Sequence, residues 1–262
     1  MLPAFTSLSY IMAFGLGAAA GSFLGAVISR SKLKNQKSKL LWGRSRCDNC
    51  KRQLNWWENI PIVSFIFLKG KCRTCRSPIP YWLPLIEIAG GMAGVWLAYW
   101  ISQTITVITF ITIIKVISAG LIAAALIWVF FSDLVFGTVP DAAILIGAVG
   151  TITYRLPFTI YGLLLPAAAA AGFFLFLVLI TRGRGMGTGD VTLAGFLGLW
   201  LGWPKILLAV WLAFILGSAT ALGLIASKRK KFGQTIPFGP FLITGAVISA
   251  IAGPELLTII GL

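Results

Sequence analysis

Two kinds of side chain in this sequence can carry chemistry, and both are scarce. The 262 residues hold four cysteines, seven acidic residues and no histidine. Without histidine there is no Ser/His triad, no Cys/His dyad and no imidazole-ligated metal, so thiolates and carboxylates must do the work. Cys47, Cys50, Cys72 and Cys75 form two C-x2-C pairs with twenty-one residues between them. Two thiolate pairs on two turns can close a tetrahedral zinc site that leaves no open position, which is a structural rather than a catalytic arrangement. Disulfides and a redox C-x-x-C are the competing readings. The doubled motif, and a placement on the reducing side of a membrane, favour zinc.

Three of the acids, Asp133, Asp141 and Asp190, stand where apolar stretches begin or end. Asp133 closes one such stretch and Asp190 opens another, which puts both carboxylates at the same membrane depth. Two neighbouring carboxylates do not readily ionise together and so share a proton. Such a dyad activates water and protonates a leaving amine, which is aspartic-protease chemistry. The alternatives are ordinary. Asp190 can cap its helix, where backbone N–H groups and the helix dipole favour a negative charge. Asp133 can be a solvated helix end, although a carboxylate is disfavoured at a C-terminus. Asp141, the second-choice acid, follows Pro140 and can cap the next helix. Position alone leaves dyad and caps open. Gly185, Gly187 and Gly189 precede Asp190 in "GMGTGDVTLAG". They form a supporting loop that can take positive φ and let a substrate backbone lie beside Asp190, or they are a flexible turn.

The elements that must position these residues are read from composition. The chain is 58% hydrophobic and 11% charged, whereas a soluble domain carries about a quarter charged residues. The expected fold class is an all-α polytopic membrane protein with about eight transmembrane helices. A small cytoplasmic zinc-binding insertion separates the first two. Spans are expected at Phe5–Ser29, Trp82–Ile101, within Thr104–Phe131, Ala142–Tyr154, Ile160–Thr181, Asp190–Trp203, Ile206–Ala226 and Pro237–Ala252. The third, ending at Asp133, is about 42 Å long at a helical rise, more than a bilayer core of roughly 30 Å. Basic clusters at 30–76, 182–184 and 228–231 then share one side, with Arg155 and Lys205 as exceptions. The positive-inside rule makes that side cytoplasmic and puts both termini outside.

The net charge of +15 is concentrated. Thirteen basic residues against two acids lie between Arg30 and Arg76, suiting an anionic inner leaflet. A basic zinc ribbon also resembles a nucleic-acid module. Here it is a loop between two spans, so the lipid bilayer is the expected partner and nucleic acid is not. The organisation read from the sequence is a first transmembrane helix (1–29), a basic four-cysteine insertion (30–80) and a membrane core carrying the aspartates (81–262).

Four stretches together make the chain resemble the type IV prepilin peptidase family. "GSFLGAVISR" (21–30) is similar to its N-terminal box, with Gly25 where the family usually has Asn. "CDNCKRQLNWWENIPIVSFIFLKGKCRTC" with "PLIEIAGG" is similar to its zinc region and the opening of its second span. "DLVFGTVPD" (133–141) and "GMGTGDVTLAGFLGLWLGW" (185–203) resemble its two aspartate motifs. The resemblance implies that Asp133 and Asp190 are the catalytic pair of a peptidase in the cytoplasmic (inner) membrane. It would remove the short basic leader of prepilins or pseudopilins after a glycine, at the cytoplasmic face. It further implies N-methylation of the new N-terminus with S-adenosylmethionine, linked to the cysteine insertion, with Glu87 as a candidate for the cofactor site. A peptidase without methylation is the first alternative. A proton-coupled transporter is the second, and it calls for midplane carboxylates and repeated broken helices. The acids here gather at one face and no repeat is visible.

Overall fold

The computed structural model describes residues 7–31, 45–104, 110–155, 160–183, 185–229 and 236–260. The first residues of the expected first span, much of the basic run at 32–44, Arg184 and the end of the 228–231 cluster lie outside them. The described chain is helical: α1 (Ser7–Ser31), α2 (Val63–Phe67), α3 (Trp82–Thr104), α4 (Phe110–Phe136), α5 (Asp141–Tyr154), α6 (Ile160–Ile180), α7 (Thr188–Leu201), α8 (Lys205–Ala226) and α9 (Gly239–Ile260). A short 3-10 turn at Trp56–Asn59 precedes α2. Among the described residues, five helices are long and apolar enough to cross a membrane: α1, α3, α4, α6 and α8. Asp141–Tyr154, Thr188–Leu201 and the Gly239–Gly253 part of α9 are apolar but shorter. At the helical rise, the 14 residues of α5 or α7 reach about 21 Å, less than a bilayer core. Length therefore supports five spans, and the expected eight is not reached by that criterion.

Contacts divide the chain into two compact units, Met1–Trp128 and Val129–Leu262. In the first, α1 packs closely on α3 because glycines face each other. A β-carbon on Gly21 would come within 2.5 Å of the Ile86 carbonyl oxygen. One on Gly90 would strike the Gly17 carbonyl. Small residues at such a seam let helix backbones approach where no hydrophobic drive separates helix from lipid.

In the second unit α6 packs on α7 and α8 on α9, with α7 also touching α5 and α9. Its core is built from Phe174, Leu193, Phe196, Leu197, Ala209, Ala213 and Leu242. Gly198 allows α7 to lie against the backbone of α6 at Pro166 and Ala167, 2.6 Å and 2.7 Å from where a β-carbon would stand. Arg155, an exception to the charge asymmetry, has a local task. Its guanidinium donates to the Trp200 and Leu201 carbonyls at 3.0 and 2.9 Å, satisfying the C-terminus of α7 with a cation.

Two helix boundaries differ from expectation in ways that matter below. α4 continues through Leu134, Val135 and Phe136, so Asp133 lies in its last turn rather than at its end. Its carbonyl accepts the Gly137 N–H at 2.8 Å, and Gly137, at φ +64°, ends the helix. α7 starts at Thr188, two residues before Asp190.

Candidate functional site

In the first unit the cysteine insertion folds as two matching turns. The chain doubles back after each C-x2-C pair, with backbone bridges between Arg46 and Gln53 and between Lys71 and Pro78. The amides of Lys51 and Arg76 donate to the carbonyls of Cys47 and Cys72, both at 3.0 Å. Lys51 and Arg76 take matching left-handed conformations, φ 57° and 54°. The result brings all four sulfurs within 4.8 Å of one another. Cys47 Sγ and Cys75 Sγ are 3.7 Å apart. That is too long for a disulfide and close to the edge of about 3.8 Å that a tetrahedron with 2.3 Å zinc–sulfur bonds requires. Ser77 Oγ stands 3.1 Å from Cys75 Sγ. The Ser77 hydroxyl and amide pull the Cys75 thiol down to about 5. The Cys50 thiol receives a backbone hydrogen bond from Arg52, yet burial and its neighbour thiols push it up to about 11. Four cysteine sulfurs at this spacing are a ligand set that a dication would hold as thiolates.

The same unit encloses a cavity of about 670 Å³. Its lining includes Ser22 and Ser29 of α1, Asp48 and Asn49 of the insertion, and Glu87 of α3. Glu87 is half-buried and accepts the Ile62 N–H at 2.7 Å. It also bonds the Ser22 side chain. Ile62 adopts φ 63°, an unusual conformation for a β-branched residue. Glu87 thus ties α3 both to α1 and, through its backbone, to a strained point of the insertion. Arg52 and the buried Glu58 form an ion pair at 2.6 Å inside the insertion. Hydrogen bonding from Arg52 holds the Glu58 carboxyl below the usual range. Gly25 faces Leu83 and Ile86 of α3, where a β-carbon would stand 3.1 and 3.3 Å from their methyl groups. The local surroundings at the position that departs from the family pattern are apolar and tight.

In the second unit, Asp133 and Asp190 are both buried, 6% and 9% exposed. They lie within coulombic reach of each other. Each carboxylate is oriented by a glycine amide. Gly187 donates to Asp190 Oδ2 at 3.1 Å, while the Asp190 amide returns a bond to the Gly187 carbonyl at 3.2 Å. This reciprocal bonding makes Asp190 the third residue of α7, capped through Gly187. Gly239 donates to Asp133 Oδ2 at 2.9 Å. Gly189 lets α7 begin against the chain that follows α4. A β-carbon there would be 3.0 Å from Val139.

The expected positive φ is not at Gly185, Gly187 or Gly189. It belongs to Arg182 and Gly183, and Gly187 is extended at φ −89°, ψ 160°. The left-handed residues come earlier, and of the later glycines Gly189 supplies room, against Val139. Asp141, in the first turn of α5, is exposed. Gly239 was not singled out by its sequence; the signal is "PFGP", a glycine beside prolines where the last helix begins.

Residues 16–101 match the bacterial peptidase A24 N-terminal domain, and residues 120–222 match the type IV leader peptidase family. A prepilin leader peptidase/N-methyltransferase of Burkholderia pseudomallei (strain 1026b) is 30% identical, over 98% of this chain and 89% of its own length. Proteins of the same description from Stutzerimonas stutzeri and Pseudomonas aeruginosa are each 26% identical, covering 94% and 92% of this chain and 91% and 89% of their own. No solved structure matches. The motifs at 21–30, 47–75, 133–141 and 185–203 are thus those of a known lineage, and the chain belongs to the type IV leader peptidase family.

Proposed function

We propose that this protein cleaves the short basic leader of type IV prepilins or pseudopilins after a glycine, with Asp133 and Asp190 activating the water. The observation that carries this reading is the burial of the two carboxylates within electrostatic reach of each other. Between them they hold one proton. The ionised carboxylate takes a proton from water as its oxygen attacks the scissile carbonyl carbon. The protonated one donates to the carbonyl oxygen. Collapse of the tetrahedral intermediate breaks the C–N bond, and the leaving amine collects a proton from the pair. The turn holding Gly185, Gly187 and Gly189 supports Asp190 through the Gly187 amide. Asp141, exposed in its turn, is assigned no step.

We place the chain in the inner membrane as eight spans, with the three shorter apolar helices completing the set and the peptidase core within 81–262. Both termini are outside, and the aspartates lie at the cytoplasmic face with the 30–80 insertion. The test is a co-expressed prepilin. Asp133→Asn and Asp190→Asn are each expected to leave the leader uncut, and normal processing by both variants would refute the dyad.

We assign N-methylation of the new N-terminus to the first unit. The sulfur spacing suits zinc on Cys47, Cys50, Cys72 and Cys75, with no open position for chemistry. The cavity beside it has the size of small-molecule sites, roughly 300–1,000 Å³, and its lining sets Asp48, Glu58 and Glu87 among Arg30, Arg46, Lys51 and Arg73. S-adenosylmethionine would supply the methyl group when bound there, and Glu87 would hold it by charge. Mass analysis of the processed pilin decides this assignment. One added methyl supports it, and a plain cleaved N-terminus favours a peptidase alone.

A further inference from the structure

The start of α9 brings a backbone donor onto Asp133 from 106 residues away. The first amides of a helix have no partner within it. Here Pro240 offers none, and the amides of Phe241 and Leu242 donate to the Phe238 carbonyl. Gly239 spends its amide on Asp133 Oδ2 at 2.9 Å, in a buried setting. The positive end of the α9 dipole is directed at the same carboxylate. The site has no space for a side chain. A β-carbon on Gly239 would stand 2.6 Å from Asp133 Oδ2 and 3.1 Å from its Cγ. The neighbouring Phe238 is held by rings. Its centroid is 5.2 Å from that of Phe214 and 5.9 Å from that of Phe174. Aromatic packing on one side and a rigid proline on the other limit where the Gly239 amide can go.

We propose that Gly239 is a positioning residue for cleavage: its amide fixes the Asp133 carboxylate toward Asp190, and it is glycine because any side chain would displace that carboxylate. This rests on the aspartate reading above. An oriented catalytic group is sensitive to small displacements, a shift of about 1 Å costing on the order of 10²-fold in rate. Substrate binding by other parts of the enzyme is untouched.

The experiment is steady-state cleavage of a synthetic prepilin by purified full-length enzyme in detergent. Gly239→Ala is expected to lower kcat by about 10²-fold with KM unchanged. Gly245→Ala is the control, since Gly245 is equally tight against the Ala209 carbonyl and lies six residues, about 9 Å, further along the same helix than Gly239. It is expected to lower thermal stability while the folded fraction keeps its kcat. A folded Gly239→Ala enzyme with normal kcat overturns the proposal, as does one whose loss lies wholly in KM. Should Gly239→Ala not fold, Phe238→Leu carries the test. A lower kcat at constant KM supports the proposal, and an unchanged kcat overturns it. Asp133→Asn in the same assay separates the two layers. Its full activity defeats the aspartate reading, whereas an inactive Asp133→Asn beside a fully active Gly239→Ala defeats only the positioning role.

Discussion

The four cysteines and the two buried aspartates each collect side chains of one kind, and the support they receive differs. The thiols are gathered by turns within a span of twenty-nine residues, from Cys47 to Cys75, and their helpers are close in sequence: Ser77 beside Cys75, Lys51 and Arg76 closing the turns. The aspartates are gathered from α4 and α7, and Asp133 is held by α9 as well. Their helpers are backbone amides of glycine. A local cluster of soft ligands suits an ion that neutralises it and then stays. Two buried carboxylates drawn from separate helices, with uncharged glycine donors among the described residues, suit the proposed proton transfer. The lesson is that the chemistry of each site follows from what compensates its charge.

The sharpest way to break this contrast is to remove a charge from each side. Asp133→Asn and Asp190→Asn are expected to cut the cleavage rate by at least 10²–10⁴-fold, the usual range for a lost general acid or base, measured as leader removal per folded enzyme. The matching change in the first unit is Cys72→Ser, at the buried ligand. It should abolish stoichiometric zinc, read by elemental analysis of the purified protein. It should also make the insertion protease-sensitive, because structural zinc sites supply on the order of 10 kcal/mol to their own folding. Methylation should collapse with it, and cleavage should fall far less. Equal loss of both activities would mean that the cysteine cluster serves the aspartates too.

Glu87 tests the same comparison at a smaller scale. Its bond to the strained Ile62 amide is a charge-assisted hydrogen bond between a helix and the insertion. Such bonds contribute roughly 1.5–3 kcal/mol. Glu87→Gln keeps the size and removes the charge. It is expected to lower thermal stability modestly and to reduce methylation more than cleavage. If methylation per folded molecule is unchanged, Glu87 is a fastener of the insertion and nothing more.

How much of this was readable beforehand depended on distance along the chain. The four-cysteine cluster follows from two short spacings, so Cys47, Cys50, Cys72 and Cys75 could be named from sequence. The proposed pairing of Asp133 with Asp190 rests on topology and on resemblance, since nothing local links residues 57 positions apart. The end of α4 was misplaced because Leu134, Val135 and Phe136 are as apolar as the helix before them; the stop is set by Gly137. Spans were harder still. Composition marks eight apolar stretches, but α5, α7 and the described apolar part of α9 are too short for length to confirm them. Gly239 was invisible as a site residue because its contribution is a main-chain amide, and every residue but proline has one.

The smallest expected effect is the most informative about the glycine-rich turn. Gly187 and Gly239 do the same thing, each giving an amide to an aspartate, yet they should respond differently to alanine. Gly187 is extended at φ −89°, ψ 160°, a conformation alanine adopts freely. A β-carbon there would meet nothing closer than Asp190 Oδ2 and the Gly189 amide at 3.9 Å. The amide survives the substitution. Gly187→Ala should therefore cost less than about 1 kcal/mol of stability, the usual penalty at a helix cap, and leave the cleavage rate within about threefold. A much larger loss of cleavage, with stability intact, cannot come from the enzyme's own packing. It would mean that the missing space is needed by something that arrives with the reaction. The turn before Asp190 would then be where the substrate backbone lies, and Gly187 would be kept small for the substrate as Gly239 is for Asp133.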